Sequence, residues 1–264
     1  MKKKDERDYF NLLWDQMLIH FKAFLESEQQ EELHLFRVQV KKLRAMMELL
    51  DADSSKKKFK KDFKPIRKIF KHCGNIRNAY INLQFGVQYQ YKNEEFLMAR
   101  LYEIETGIKE VKEMGKQYLK TIKIAHEDID YDLKALDDDA ILEFYRSRVN
   151  RVANVIAHLQ FNDELHSARK QIKILMYNRK MAHKALDGKL NIDTDYLDKL
   201  QSLIGDWHDN TLALELFCSP DINYPPIITK IKKQNTRFKR TITALAHDFE
   251  KKVILNEAVN KQSA

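Results

Sequence analysis

Along the first stretch of the chain, apolar residues recur at intervals of three and four. Phe10, Leu13, Met17, Phe21 and Phe24, with Trp14 beside them, predict a helix over about residues 6–29 with one core-facing stripe. Leu33, Phe36, Val40, Leu43 and Met47 predict a second over about 31–51, closed by the turn-forming Asp-Ala-Asp-Ser-Ser run at 51–55. A long helical region follows to about residue 91, with a kink expected at Pro65 and a glycine at Gly74. A fourth helix is expected over about 94–122, weakened by Gly107 and Gly115. The acidic stretch from Glu127 to Asp139 reads as a junction. Beyond it the programme repeats, with helices over about 139–161, 163–186, 194–218 and 227–257 and breaks at Gly188 and Ser219–Pro226. No segment sustains an apolar–polar alternation, so strands are not predicted. The expected fold class is all-α, two four-helix bundles in tandem, 1–130 and 131–264.

The repetition extends to individual residues. Glu32-Leu33-His34-x-x-Arg37-x-Gln39-Val40-Lys41-x-Leu43 recurs as Glu164-Leu165-His166-x-x-Arg169-x-Gln171-Ile172-Lys173-x-Leu175, an offset of 132 with seven of twelve positions identical. A weaker match at nearly the same offset sets Cys73-Gly74-Asn75-Ile76-Arg77-Asn78 against Ile204-Gly205-Asp206-Trp207-His208-Asp209. Two matches in the same order identify a tandem repeat.

Composition sharpens this picture in two ways. Only 6 glycines and 4 prolines in 264 residues, with 33% charged residues, favour long helices joined by short connections. Lys and Arg outnumber Asp and Glu 47 to 39, a net charge of +8 that suits a polyanionic partner such as nucleic acid, a phosphate polymer or an acidic surface. Cys73 and Cys218 are too few for a disulfide framework or a structural zinc site. No run of about 18 apolar residues occurs and no cleavage site follows the basic start, so the reading is cytoplasmic with no membrane span.

The candidate chemistry lies on the repeated helices. At about 100° per residue, His34, Arg37, Lys41 and Arg44 fall within roughly 80° of one another, bordering the core-facing stripe. His166, Arg169, Lys173 and Lys180, with Tyr177, repeat the arrangement. Like charges at these spacings repel by a few tenths of a kcal/mol per pair, which an external anion would offset. Arg offers phosphate a planar fork of donors and Lys a mobile charge. A solvated face, or pairing with carboxylates of a neighbouring helix, is the plain alternative. Lys64, Arg67, Lys68 and Lys71, and Lys230, Lys233, Arg237 and Arg240, form further one-sided basic sets. Asn78 and Asp209 suit structural roles, holding a nearby Arg or capping backbone.

The segments ELHLFRVQVKKLR, ELHSARKQIKILMY, CGNIRNAYINLQF and LQSLIGDWHDNTLALELF resemble the paired motifs of the CHAD domain, the conserved histidine α-helical domain. The resemblance implies two similar four-helix halves related by a pseudo-twofold, a basic groove between them, and non-catalytic binding of inorganic polyphosphate. Carried over, it makes His34, Arg37, Lys41, Arg44, His166, Arg169 and Lys173 phosphate contacts, with Arg77 and His208 beside them. Histidine protonation should then strengthen binding toward about pH 6. Met176 stands where the first half has Arg44, and Ile174 where it has Lys42, so one side of the groove should be less basic. Glu103-Ile104-Glu105-Thr106-Gly107 lacks the Lys of the Glu-x-Glu-x-Lys strand that opens the triphosphate tunnel-barrel of many relatives, and that partner domain is not expected.

Two other readings compete. A phosphate-compound hydrolase needs carboxylates or a nucleophile beside its histidines; here Arg and Lys surround them, and no Gly-rich phosphate loop or serine elbow is present. No cofactor or catalytic residue is therefore expected. Nucleic-acid binding fits the charge, but no base-reading element accompanies it. The implied partner is polyphosphate or another polyanion, met in the cytoplasm or on polyphosphate granules.

Overall fold

The computed structural model describes residues 3–52, 58–133, 135–188 and 190–253. These form helices and no β-strand, and the chain divides into two compact units, Met1–Asp137 and Asp138–Ala264.

In the first unit, α1 (Lys3–Ser27) turns back into α2 (Gln30–Leu50) at Glu28, whose φ of 60° reverses the chain. The predicted stripes meet there: Phe10, Met17, Phe21 and Phe24 of α1 and Leu33, Phe36 and Leu43 of α2 are fully buried, and the Phe21 and Phe36 rings stand 4.8 Å apart. Residues 53–55 of the expected turn lie outside the described residues. The short helix α3 (Lys58–Asp62) is capped by buried Asp51, which accepts hydrogen bonds from the Phe59 and Lys60 amides at 3.0 and 2.9 Å.

Pro65 does not kink a continuous helix. It sits in the first turn of α4 (Lys64–Gln88), where its missing N–H would have no intrahelical partner in any case. The helix α5 (Glu94–Glu113) begins at Asn93, whose side chain accepts from the Phe96 amide at 2.7 Å. The single helix expected over 94–122 is instead two. It breaks at Met114, and α6 (Gly115–Asp132) starts on a glycine whose Cβ, if present, would stand 3.3 Å from both Leu25 methyls. The close approach to α1 decides the break. The unit ends later than residue 130 because Leu133 and Leu136 are buried and the fully buried Glu6 carboxylate accepts from the Leu136 amide at 2.8 Å.

The second unit comprises α7 (Asp138–Ala157), α8 (Asp163–Ala185), α9 (Thr194–Phe217), α10 (Pro225–Ala246) and the short α11 (Phe249–Val253). Asn162 and Asp193 cap α8 and α9 through the Glu164 and Tyr196 amides. Buried cross-links add direction to the apolar core: the Tyr145 hydroxyl donates to the Leu175 carbonyl at 2.9 Å, and Asn210 donates to the Ile231 carbonyl at 3.1 Å. The last predicted helix stops at Ala246, and Asp248, with φ 56°, redirects the chain into α11. Residues 254–257 of that prediction lie outside the described residues.

Candidate functional site

Each unit places its repeated motif on the same pair of elements, α2 with α4 and α8 with α9. The two arginines adopt the same engagement. Arg37 reaches from α2 to α4, where Nη1 donates to the Phe70 carbonyl at 2.6 Å and the guanidinium lies 4.0 Å from the Phe70 ring centroid. Arg169 reaches from α8 to α9, where Nε donates to the Gln201 carbonyl at 2.9 Å. In both cases the accepting carbonyl lies four residues before the repeat's glycine. A Cβ on Gly74 would come within 3.0 Å of Arg37 Nη1, and one on Gly205 within 2.5 Å of Arg169 Nη2. The glycines are the seats into which the guanidiniums fit, and here the absence of a side chain matters more than backbone freedom. Sequence reasoning took Arg37 and Arg169 as phosphate contacts and missed this clasp. The signal was available in the two glycines matched at one offset.

Around the first clasp, burial and then the Arg77 charge hold His34 below the usual imidazole range; Glu31 acts in the opposite direction, and Lys41 and Arg37 add to the lowering. Burial also lowers Arg37, again with a contribution from Arg77. Arg77 lies 5.2 Å from the Tyr80 ring. The neighbouring Cys73 thiol is pushed up to about 12 by burial and stays neutral. The histidine is thus a neutral group among cations, a field that favours an incoming anion.

The second unit differs in detail. His166 and His208, the counterpart of Arg77, stack with ring centroids 3.7 Å apart. Burial, then the His208 charge, lowers His166 to about 4. His208 is also lowered, by burial first, with Asp209 acting in the opposite direction. Nδ1 of His166 is buried without a hydrogen-bond partner among the described residues. Lys173 is partly buried 5.7 Å from the Tyr177 ring, and burial lowers it. Lys180 is exposed, as are Lys230, Lys233, Arg237 and Arg240 on α10.

A groove of about 350 Å³ opens between α2 and α4 in the first unit. Lys41 and Arg44 line it from α2, and Lys64, Arg67, Lys68 and Lys71 from α4, over a floor of Val40 and Phe70. Among the described residues no carboxylate lines it. Arg44 also pairs with Glu48 on its own helix at 3.3 Å. The four α4 cations, treated in sequence reasoning only as an extension, are the larger part of this surface. Among the described residues no group of three His, Cys, Asp or Glu side chains is placed to hold a metal ion. No described helix is long and apolar enough to cross a membrane.

The sequence matches the family model of the CHAD domain over residues 8–218. The chain belongs to the CHAD family. The match takes in both clasps and ends before α10. The crystal structure of the CHAD domain from the plant Ricinus communis superimposes with a TM-score of 0.63 at 13% identity, covering 93% of this chain and 91% of that one. At that identity the likeness speaks for the fold. Comparison with curated proteins finds no match. The described residues form helices and no β-strand, and no tunnel-barrel domain accompanies the CHAD domain within them.

Proposed function

We propose that this CHAD protein binds inorganic polyphosphate, without chemical turnover. The observation that carries the reading is the groove between α2 and α4, where six cations converge on a lining that, among the described residues, includes no carboxylate. A linear phosphate polymer matches such a surface because each phosphate brings one charge and several acceptor oxygens. His34, Arg77 and the free N–H groups of Arg37 extend the field beyond Lys41. The repeat sets His166, Arg169, Lys173 and His208 at the corresponding positions of the second unit. Binding without catalysis suits the same surroundings: at His34 and His166 burial and neighbouring cations outweigh the nearby carboxylates Glu31 and Asp163 and keep both rings neutral.

The test is a titration of labelled long-chain polyphosphate at several salt concentrations. If six cations each neutralise a phosphate, affinity falls by roughly 300-fold between 50 and 200 mM salt, using about −0.7 per contact. Salt-independent or absent binding overturns the proposal. Equal displacement by duplex DNA at matched phosphate concentration would shift the reading to nucleic acid, and sustained phosphate release with Mg²⁺ would shift it to hydrolysis.

A further inference from the structure

The two clasps fix a residue-by-residue register between the units. Arg37 corresponds to Arg169, the Phe70 carbonyl to that of Gln201, and Gly74 to Gly205. The same offsets carry the six groove positions of the first unit onto the second. Lys41 maps to Lys173 and Arg44 to Met176. Lys64, Arg67, Lys68 and Lys71 map to Asp195, Asp198, Lys199 and Ser202. Six cations become two cations and two carboxylates.

The neutralisation is also visible in the second unit's own contacts. Asp198 accepts from the Gln201 side chain at 2.9 Å, and its charge acts on Lys173, as does that of Asp209. Lys173 is partly buried, where Lys41 is exposed. Asp195, Asp198, Lys199 and Ser202 are exposed, so they are surface choices without a role in core packing.

We propose that polyphosphate is anchored by the α2–α4 groove of the first unit alone, and that its counterpart between α8 and α9 takes no phosphate. This rests on the polyphosphate reading above and narrows it to one of two duplicated sites. The signature residues cannot produce this asymmetry, since His, Arg and Lys occur in both repeats. The exposed face of α4 produces it.

The experiment exchanges the faces in the full chain and measures binding of a short linear polyphosphate by titration calorimetry. One variant gives the first unit the second unit's residues, Lys64→Asp, Arg67→Asp and Lys71→Ser. The other does the reverse, with Asp195→Lys, Asp198→Arg and Ser202→Lys. All six positions are exposed, and circular dichroism melts check that each variant is folded. The expected result is a loss of roughly 100-fold in the first variant. The second should raise the stoichiometry from one to two, and combining both should restore one site. If the first variant binds like the parent, or if Lys173→Ala with Lys199→Ala weakens binding as much, the one-sided site is wrong while polyphosphate binding stands. If the unmodified chain binds no polyphosphate, the functional reading fails and takes this inference with it.

Discussion

Replacing Gly205 with alanine tests whether the glycine exists to seat Arg169. The new Cβ would meet Nη2 at 2.5 Å, Cζ at 2.8 Å and Nε at 2.9 Å. All three distances are shorter than carbon tolerates, so the guanidinium must leave. Its displacement breaks the 2.9 Å bond from Nε to the Gln201 carbonyl. A hydrogen bond from a charged donor contributes about 1.5–3 kcal/mol. Alanine in mid-helix returns about 1 kcal/mol over glycine. The net expectation is a destabilisation of about 0.5–2 kcal/mol, read as a lowered midpoint in urea unfolding. The decisive comparison is a double-mutant cycle with Arg169→Ala. With the guanidinium absent, the three nearest contacts of the new Cβ are gone, and Gly205→Ala should stabilise by about 1 kcal/mol, reversing its sign. An equal effect in both backgrounds would refute the seat. Gly74→Ala is the internal control: its nearest contact is Arg37 Nη1 at 3.0 Å, a milder approach, so its cost should be smaller.

Four further outcomes follow from other sites. His166 has its folded value lowered to about 4; the unfolded chain therefore binds the extra proton first, and stability should fall as pH drops from about 6.5 to about 4, then level off. His166→Asn should flatten that part of a melting-temperature profile, and an unchanged slope would count against the stacked pair as its source. Because burial lowers His34 as well, enhancement of polyphosphate binding by acid should begin below the pH of about 6 expected from unperturbed histidines, visible as proton uptake in calorimetry across buffers of different ionisation enthalpy. Asp51→Ala removes acceptors for two amides of α3 and should destabilise by about 1–2 kcal/mol in urea unfolding, with Asp51→Asn intermediate; no change would mean the cap is replaced by water. A thiol reagent at neutral pH should find Cys218, which is exposed, far faster than Cys73, which is buried and held neutral; equal rates would contradict the packing around Gly74.

Much of the fold was legible because the apolar positions keep one period over long stretches. The stripe Phe10–Phe24 and its partner Leu33–Met47 form the buried seam they predict. What escaped depends on neighbours far away in sequence. Gly115 reads as a weak point within a helix, and only Leu25 on another helix turns it into the start of a new one. Pro65 is equally compatible with a kink or a first turn until Asp51 caps the helix before it. The arginines show the limit most clearly. A helical wheel places Arg37 at the border of the core stripe, but cannot say whether its tip enters solvent or finds a carbonyl on α4. The candidate site was legible in kind, as basic residues on repeated helices, and incomplete in membership, because the face of α4 carries no signature motif.

The groove has a consequence for the empty protein. Lys64, Arg67, Lys68 and Lys71 recur at helical spacing along one face, and without an anion they push against one another. In the second unit the same positions hold Asp195 four residues before Lys199, a pairing that attracts. Dissolved salt shields both situations. Shielding relieves the first unit and weakens the second, so raising ionic strength should make one half of the ligand-free molecule sturdier and the other slightly less so. Two halves built on one plan are in this respect opposite materials: a tensioned surface awaiting its counter-charge, and a surface already at rest.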